Sequence, residues 1–147
     1  MPKATRRVSR QSDADDGGAG RWRPDVIVDF VFDEGKFFIA VENIGERPAV
    51  DVSIRFDRPF SGADGKRSIS TLPLFKGIPF LAPRRRIVTF LDTSASYFAR
   101  RQPTSLSATV TYADTDALKY KLVIRHDLGI YRDVSYLHRP QTSLRED

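Results

Sequence analysis

Large apolar residues alternate with polar residues in several short runs of this sequence, and this period of two limits the fold more than any other feature. In residues 50–56, apolar side chains fall on every second position, with Asp, Ser and Arg between them. The runs at 26–33, 106–112 and 118–124 have the same pattern, and none keeps the 3.6-residue period of an amphipathic helix. Because successive side chains of a strand point to opposite faces, this alternation predicts half-buried antiparallel strands.

Turn-forming residues separate the alternating runs. Glu34-Gly35 follows the first of them, Asn-Ile-Gly-Glu-Arg-Pro at 43–48 follows an apolar run at 37–41, and Asp-Thr-Asp-Ala at 114–117 joins the last two. Gly, Asn, Asp and Pro are the residues that tight turns favour. The run at 37–41 is apolar at every position, which is typical of a central strand.

Shorter segments complete the pattern. We expect short strands around residues 69–74 and 87–91, and at most one helical turn at 94–101. Strands of this length, with turns throughout, favour two packed antiparallel sheets over a parallel α/β fold. The sequence therefore predicts an all-β protein, an immunoglobulin-like antiparallel β-sandwich of about seven strands.

Composition sets the limits of the folded part. Residues 1–20 consist mainly of Pro, Ser, Asp, Gly, Ala and Arg, with little apolar surface beyond Val8. Such a segment buries too little apolar area to offset the entropy of ordering it. We therefore expect a disordered basic head at 1–22, one β-sandwich domain at 23–136 and a flexible polar tail at 137–147.

The formal net charge of +5 is mainly a property of the head, because residues 1–23 hold six basic and three acidic side chains. The chain has no cysteine, which excludes disulfides, thiolate catalysis and cysteine-bound zinc. No apolar run approaches the roughly 18 residues that a membrane-spanning helix needs, and no signal peptide is visible. We expect no membrane span; the location is unknown, with the cytoplasm favoured.

Three short motifs occur in a characteristic order. Val41-Glu42-Asn43-Ile44-Gly45 ends an apolar strand, Leu81-Ala82-Pro83 precedes the run at 87–90, and Tyr112-Ala113-Asp114 ends a late strand. In this order the motifs resemble those of bacterial CARDB-type (cell-adhesion-related) immunoglobulin-like domains, over about residues 25–125. The resemblance implies a sandwich fold and a role as an accessory or interaction module, and it carries no catalytic residue.

Candidate catalytic and metal-binding residues are few. His126 stands beside Asp127, but a nucleophile also needs a base and a third orienting group, and the sequence assembles no such set. Asp114 and Asp116 flank a turn, where Asp is common for conformational reasons and where two carboxylates are too few for calcium. We therefore expect no enzyme, no metal and no cofactor, and a hydrolase using His126 and Asp127 ranks third among the functional hypotheses.

The segment from Leu72 to Pro83 is apolar, contains three prolines and has Lys76 as its only charge. It permits two interpretations. Leu74, Ile78 and Leu81 close one end of the core, which we favour, or the segment is an exposed loop that binds a partner. The candidate partner-binding residues are Phe75, Ile78 and Phe80. Of these, the two phenylalanines are expected to remain partly exposed.

Arginines form the densest basic spots of the domain. In an extended strand, Arg84 and Arg86 would point to one face and Arg85 to the other, so the run is not a single clamp. Solvated charges that keep an edge strand from pairing explain the run as well or better. No interleaved aromatic stacking platform accompanies it, as single-strand binders usually have. The candidate anion-binding residues are Arg84, Arg85, Arg86, Arg100 and Arg101.

Two functions of different classes fit these observations. The favoured hypothesis is a non-catalytic protein-interaction or structural module, a component of a larger assembly, which binds a protein partner or itself. The alternative is an electrostatic binder of nucleic acid or anionic surfaces through the basic head and Arg84–Arg86; nucleic acid is not the favoured partner. Binding measured against salt concentration separates the two, because phosphate contacts weaken steeply as counterions compete.

The register assigned to residues 50–56 generates a test of stability. Val52→Asp places an unpaired charge in the core, and we expect it to unfold the domain, because a cost of several kcal/mol is comparable with a total stability of about 5–15 kcal/mol. Ser53→Asp adds its charge to the outer face and is expected to have little effect. Urea unfolding followed by circular dichroism measures both variants, and equal losses at the two positions would contradict the register.

Overall fold

A computed structural model describes residues 22–134, and the alternating runs form strands in it. The strands are β1 (Val26–Asp33), β2 (Lys36–Asn43), β3 (Ala49–Phe56), β4 (Ile78–Leu81), β5 (Arg86–Thr93), β6 (Ser105–Ala113) and β7 (Lys119–Asp127). The helices are α1 (Pro73–Lys76), α2 (Ser94–Ala99) and a 3-10 helix at Leu128–Tyr131. Apart from Trp22, the predicted head lies outside the described residues, as does the predicted tail.

The strands form two antiparallel sheets. One sheet has the strand order β1-β2-β5 and the other has the order β4-β3-β6-β7. Apolar side chains from both sheets fill the space between them, so the predicted all-β sandwich of seven strands is confirmed. The inward positions follow the predicted alternation, as β6 shows with its buried side chains Leu106, Ala108, Val110 and Tyr112.

The turn from β1 to β2 lies where it was predicted. Glu34 and Gly35 both have a positive φ, of 48° and 77°. A two-residue hairpin turn with this backbone matches the right-handed twist of the strands that it joins. The turn fixes the register of the hairpin, in which Asp33 pairs with Lys36.

A β-bulge interrupts the pairing of β2 with β5. Phe37 pairs with Asp92 but Phe38 pairs with Phe90, so Leu91 is the extra residue. Because a bulge adds one residue to one strand, the consecutive residues Leu91 and Asp92 are both buried. The bulge thereby brings a carboxylate into the interior of the sandwich.

The proline-rich segment contains a strand that the sequence pattern did not predict. β4 lies at the edge of the four-stranded sheet beside β3, and an edge strand tolerates Pro79 because one of its sides makes no ladder. The strand expected at 69–74 was wrong, because residues 69–71 form a bend and a turn and residues 73–74 belong to α1. Pro73 favours this helix, since its ring presets φ at the first helical position.

The helical turn expected at 94–101 is confirmed by α2. Thr93 caps it, with its Oγ1 accepting a hydrogen bond from the backbone N–H of Ser96 at 3.1 Å. Tyr97 of α2 is fully buried, packs edge-to-face on Phe37 and donates its hydroxyl hydrogen to the carbonyl oxygen of Pro103 at 2.6 Å. Burial raises the pKa of Tyr97 well above its ordinary value.

The fully buried side chain of Asn43, at the end of β2, joins the two sheets. Its Oδ1 accepts hydrogen bonds from the backbone N–H groups of Asp25 at 3.1 Å and Gly45 at 2.9 Å. Its Nδ2 donates to the carbonyl oxygens of Arg47 at 2.8 Å and Leu81 at 3.1 Å. Leu81 belongs to β4, so one amide group closes the turn after β2 and ties this turn to the other sheet.

Gly45 is required by the same turn. A Cβ atom at this position would lie 2.3 Å from the carbonyl oxygen of Arg23 and 2.7 Å from the backbone nitrogen of Asp25. The segment before β1 therefore runs directly against the turn, and the backbone N–H of Ile44 donates to the carbonyl oxygen of Asp25 at 2.8 Å. The need for glycine here comes from this close approach of two backbone segments.

Asn43→Ala is expected to lower the free energy of unfolding by about 3 kcal/mol or more, because buried backbone groups left without a partner cost roughly 1–3 kcal/mol each. Glu46→Ala, in the same turn, is the matched control. Glu46 accepts a hydrogen bond from Arg84 at 2.7 Å, but both side chains are exposed, and such pairs contribute about 0–1 kcal/mol. Urea denaturation measures the free energy of unfolding of both variants. Similar losses would show that the hydrogen bonds of Asn43 contribute little to stability.

Candidate functional site

Apolar side chains occupy most of the outer face of the three-stranded sheet. Phe38 of β2 lies beside Phe90 of β5, and their rings meet edge-to-face with centroids 5.7 Å apart. Ala40 pairs with Val88 in the next row and is itself buried, whereas Val88 and Phe90 are 47% and 43% exposed. β1 adds two half-buried aliphatic residues to the same side. We call this set the apolar face: Ile27, Val31, Phe38, Ala40, Val88 and Phe90.

Charged side chains border the apolar face at both ends of β2, and the exposed Asp29 of β1 lies on the same side between Ile27 and Val31, where it pairs with Ala40. The outward positions of this strand are, in order, Lys36, Phe38, Ala40 and Glu42, so a basic and an acidic residue enclose two apolar ones. Glu42 contacts Arg86 of β5, with its Oε1 3.7 Å from the Nε of the arginine. Both side chains are partly exposed, so the pair contributes about 0–1 kcal/mol and leaves Glu42 able to meet another cation.

Residues 37–41, expected to form a central strand, do so in β2. The inner side chains of this strand are buried in the core, whereas Phe38 is only half-buried on the outer side. An apolar run on its own does not show which of its two faces will be covered by a second layer. The signal that was available is that two strands, β2 and β5, both carry apolar residues at their outward positions.

The proline-rich segment is mostly part of the core. Phe75, expected to stay partly exposed, is 1% exposed, because α1 turns it inward onto Phe56 with ring centroids 5.1 Å apart. Ile78 and Leu81 are also buried and close the core. The assignment of Phe75 and Ile78 as partner-binding residues is therefore corrected, since neither side chain is accessible. Phe80 is 58% exposed on β4, as expected, and its binding role stays a prediction.

Arg84–Arg86 do not form an extended run. Arg84 has a positive φ of 67° in the turn before β5, and Arg86 is the first residue of the strand. The expected alternation of three side chains across a strand was therefore wrong. Arg84 donates a hydrogen bond to Glu46 at 2.7 Å, and Arg86 contacts Glu42. Carboxylates of the same chain thus partly neutralise this basic spot, and its anion-binding role stays a prediction.

Arg100 belongs to an internal polar network. Its Nη2 donates to the Oδ2 of Asp92 at 2.6 Å, and Asp92 is the carboxylate that the bulge in β5 buries completely. Arg100 also donates to the Oγ and the carbonyl oxygen of Ser61, at 2.8 and 3.1 Å. The backbone N–H of Ser61 donates in turn to the Oε1 of Gln102 at 2.9 Å. Arg100 therefore neutralises a buried carboxylate, which corrects its assignment to anion binding; the next residue, Arg101, is exposed.

Asp114 closes the hairpin between β6 and β7. Its Oδ1 accepts hydrogen bonds from the backbone N–H groups of Asp116 at 2.8 Å and Leu118 at 2.9 Å, and its Oδ2 accepts from the hydroxyl of Tyr120 at 3.1 Å. Burial and the adjacent carboxylate of Asp114 raise the pKa of Tyr120 to about 12. Within residues 22–134, no three His, Asp or Glu side chains form a group that could hold a metal ion.

His126 and Asp127 have separate local roles. His126 is half-buried and packs edge-to-face on Phe30 with ring centroids 4.9 Å apart, and burial lowers its pKa. Asp127 begins the 3-10 helix, with its Oδ1 accepting a hydrogen bond from the backbone N–H of Gly129 at 2.9 Å. Consecutive strand residues point to opposite faces, so this arrangement gives the two side chains packing and capping roles.

Comparison with models of protein families assigns the chain to one family. The model of the family described as "Domain of unknown function (DUF8453)" matches residues 3–132. The chain belongs to this family. The matched range of DUF8453 includes every strand described above and also most of the predicted basic head.

Comparison with curated proteins and with solved structures finds no match. Among residues 22–134 of this DUF8453 chain, no helix is long and apolar enough to cross a membrane.

Arg100→Ala is expected to lower the free energy of unfolding by about 3 kcal/mol or more, because it leaves Asp92 charged and unpaired in the interior. Arg101→Ala removes the same charge from an exposed neighbouring position and is expected to change stability by less than about 0.5 kcal/mol. Thermal and urea unfolding measure both variants. Comparable small losses at both positions would mean that the network contributes little to stability.

Proposed function

We propose that this protein is a non-catalytic interaction module, and that it pairs with a second copy of itself through the apolar face. The observation that carries the proposal is the combination of exposed apolar side chains with oppositely charged residues at the two ends of β2. Contiguous exposed apolar patches are uncommon on monomeric proteins and mark interaction sites. The polar side chains with the greatest catalytic potential are engaged in turns and packing, which supports a role by contact.

We also propose that the sandwich is immunoglobulin-like. In that fold, strands A, B and E share one sheet and strands C, F and G share the other, and a C′ strand can extend the second sheet. Here β1, β2 and β5 occupy the first set of places and β3, β6 and β7 the second, with β4 in the place of C′. The resemblance to cell-adhesion-related domains agrees with this assignment and supports a role as an accessory or interaction module.

The charge order along β2 is self-complementary. If two copies pack these faces together about a two-fold axis that lies between the faces, perpendicular to β2 and above Ile39, each Lys36 lies opposite Glu42 of the second copy. The same operation places Phe38 opposite Ala40 of the second copy, a large side chain against a small one. A two-fold interface uses the same patch on both copies, so every favourable pair occurs twice. A second copy is therefore a better fit to this face than a partner of unrelated charge pattern.

The predicted dimer is tested by solution mass. We expect sedimentation equilibrium to give twice the chain mass for the native protein, and the monomer mass for Phe90→Asp, since that charge would be buried without a partner. Val123→Asp is the matched control, because Val123 is 54% exposed on the outer face of the other sheet. Loss of the dimer in both variants, or a native protein that remains a monomer at high concentration, would exclude the proposed interface.

A charge exchange tests the orientation of the two copies. Lys36→Glu and Glu42→Lys are each expected to weaken the dimer by about tenfold or more, because like charges then face each other twice. The double variant restores opposite charges across the interface and is expected to recover most of the lost affinity. A double variant weaker than both single variants would rule out this two-fold arrangement.

A further inference from the structure

Basic and hydroxyl side chains occupy the outer face of the four-stranded sheet, on the opposite side of the sandwich from the apolar face. Thr111 of β6 lies between Ser53 of β3 and Lys121 of β7. In a neighbouring row, Thr109 lies beside Arg55, and Ser107 pairs with Arg125. A strand with hydroxyl groups is thus flanked by strands with cations. We call this set the basic face: Ser53, Arg55, Ser107, Thr109, Thr111, Lys119, Lys121 and Arg125.

The four cations of the basic face are exposed and available. Within residues 22–134, Arg55, Lys119, Lys121 and Arg125 form no ion pair, whereas Arg84, Arg86 and Arg100 each do. An anion that binds the four cations of the basic face therefore displaces no carboxylate that is already paired with them.

Carboxylates near the basic face are mostly engaged with the backbone. Asp57 accepts a hydrogen bond from the backbone N–H of Ser107 at 2.9 Å, and Asp127 caps the 3-10 helix. Asp51 is the exception, because it is exposed and lines a shallow hollow together with Lys119 and Lys121. A hydrogen bond from a backbone N–H leaves a carboxylate charged, so the four cations and the carboxylates Asp51, Asp57 and Asp127 give this face a net charge of +1.

We infer that the basic face binds the phosphate backbone of double-stranded nucleic acid. Each strand of a duplex carries a dense row of negative charges, so the neighbouring cations Lys119 and Lys121 can each contact a phosphate. Ser and Thr hydroxyl groups are regular donors to phosphate oxygens, so the side chains of β6 fit the same ligand.

The side chains on the basic face favour a duplex over the alternatives. Binders of single strands stack bases on aromatic rings, and peripheral membrane proteins insert aromatic or large aliphatic residues. Among the described residues of this face, Phe80 is an exposed aromatic, but it lies on β4 at the far edge from β7. Val123 is the exposed aliphatic residue among the cations. The face is therefore better suited to contacts with the charge and shape of a duplex than to base stacking or membrane insertion.

The segment before β1 lies at the end of the sandwich where β7 begins. The guanidinium of Arg23 lies over the ring of Tyr120 at 5.8 Å, and Tyr120 follows Lys119 at the start of β7. Residues 1–21, which precede this point, carry five basic and three acidic side chains.

The experiment measures binding of the full chain to a fluorescein-labelled DNA duplex of arbitrary sequence by anisotropy, over a range of salt concentrations. The triple variant Lys119→Gln, Lys121→Gln, Arg125→Gln is expected to bind at least tenfold more weakly. Its plot of log affinity against log salt is expected to be shallower by roughly 2 to 3, since each lost phosphate contact removes about 0.9 from the slope. Its circular dichroism spectrum and solution mass are expected to equal those of the native chain.

The matched control removes the same charge from the other basic spot, as Arg84→Gln, Arg85→Gln, Arg86→Gln, and is expected to weaken binding by less than about threefold. Equal weakening by the two triple variants would overturn the proposal, because net charge alone would then explain the binding. Tighter binding to a single strand of the same length would also overturn it. So would sedimentation with phosphatidylserine vesicles without binding to the duplex. Since these residues lie away from the apolar face, failure here leaves the dimer test unaffected.

Discussion

The buried amide of Asn43 holds together the end of the sandwich from which the rest of the structure is organised. It satisfies two backbone N–H groups and two carbonyl oxygens that come from the segment before β1, the turn after β2 and strand β4. A buried polar group destabilises the fold when it lacks a partner. When all its partners are present, it favours one unique arrangement of the chain. One side chain therefore fixes the entry of the chain, the spacing of the two sheets and the position of the edge strand.

A sandwich needs apolar residues only on the two faces that meet, so its two outer faces are free to differ. In this protein they differ strongly. One outer face carries Phe38, Val88 and Phe90, and the other carries lysine, arginine, serine and threonine. The core specifies the fold, and the outer faces then offer two chemically distinct surfaces on one rigid support. The proposed self-association and the proposed phosphate binding use different surfaces and do not compete.

The period of two in the sequence predicted the strands whose one face is buried, and it placed residues such as Val52 and Val110 correctly in the core. It missed β4 because Pro79 and the apolar residues around it do not alternate. It also gave no information on tertiary pairing, so Arg100 was taken for a free cation although the bulge in β5 sets a carboxylate beside it. The apolar face was overlooked because a run that is apolar on both sides is expected for any central strand. Phe75 was misplaced because the rotation of a single helical turn is decided by the surface on which it packs.

The polar network around Arg100 also links an irregular loop to the core. The segment between β3 and α1 has almost no regular structure, yet its Ser61 is joined through Arg100 to a carboxylate inside the sandwich. Local opening of this segment must expose that carboxylate or strip it of its cation, which couples the loop to the core. Amide protons in an irregular loop usually exchange with solvent independently of the strands. We therefore expect the loop, the end of β5 and α2 to open as one cooperative unit.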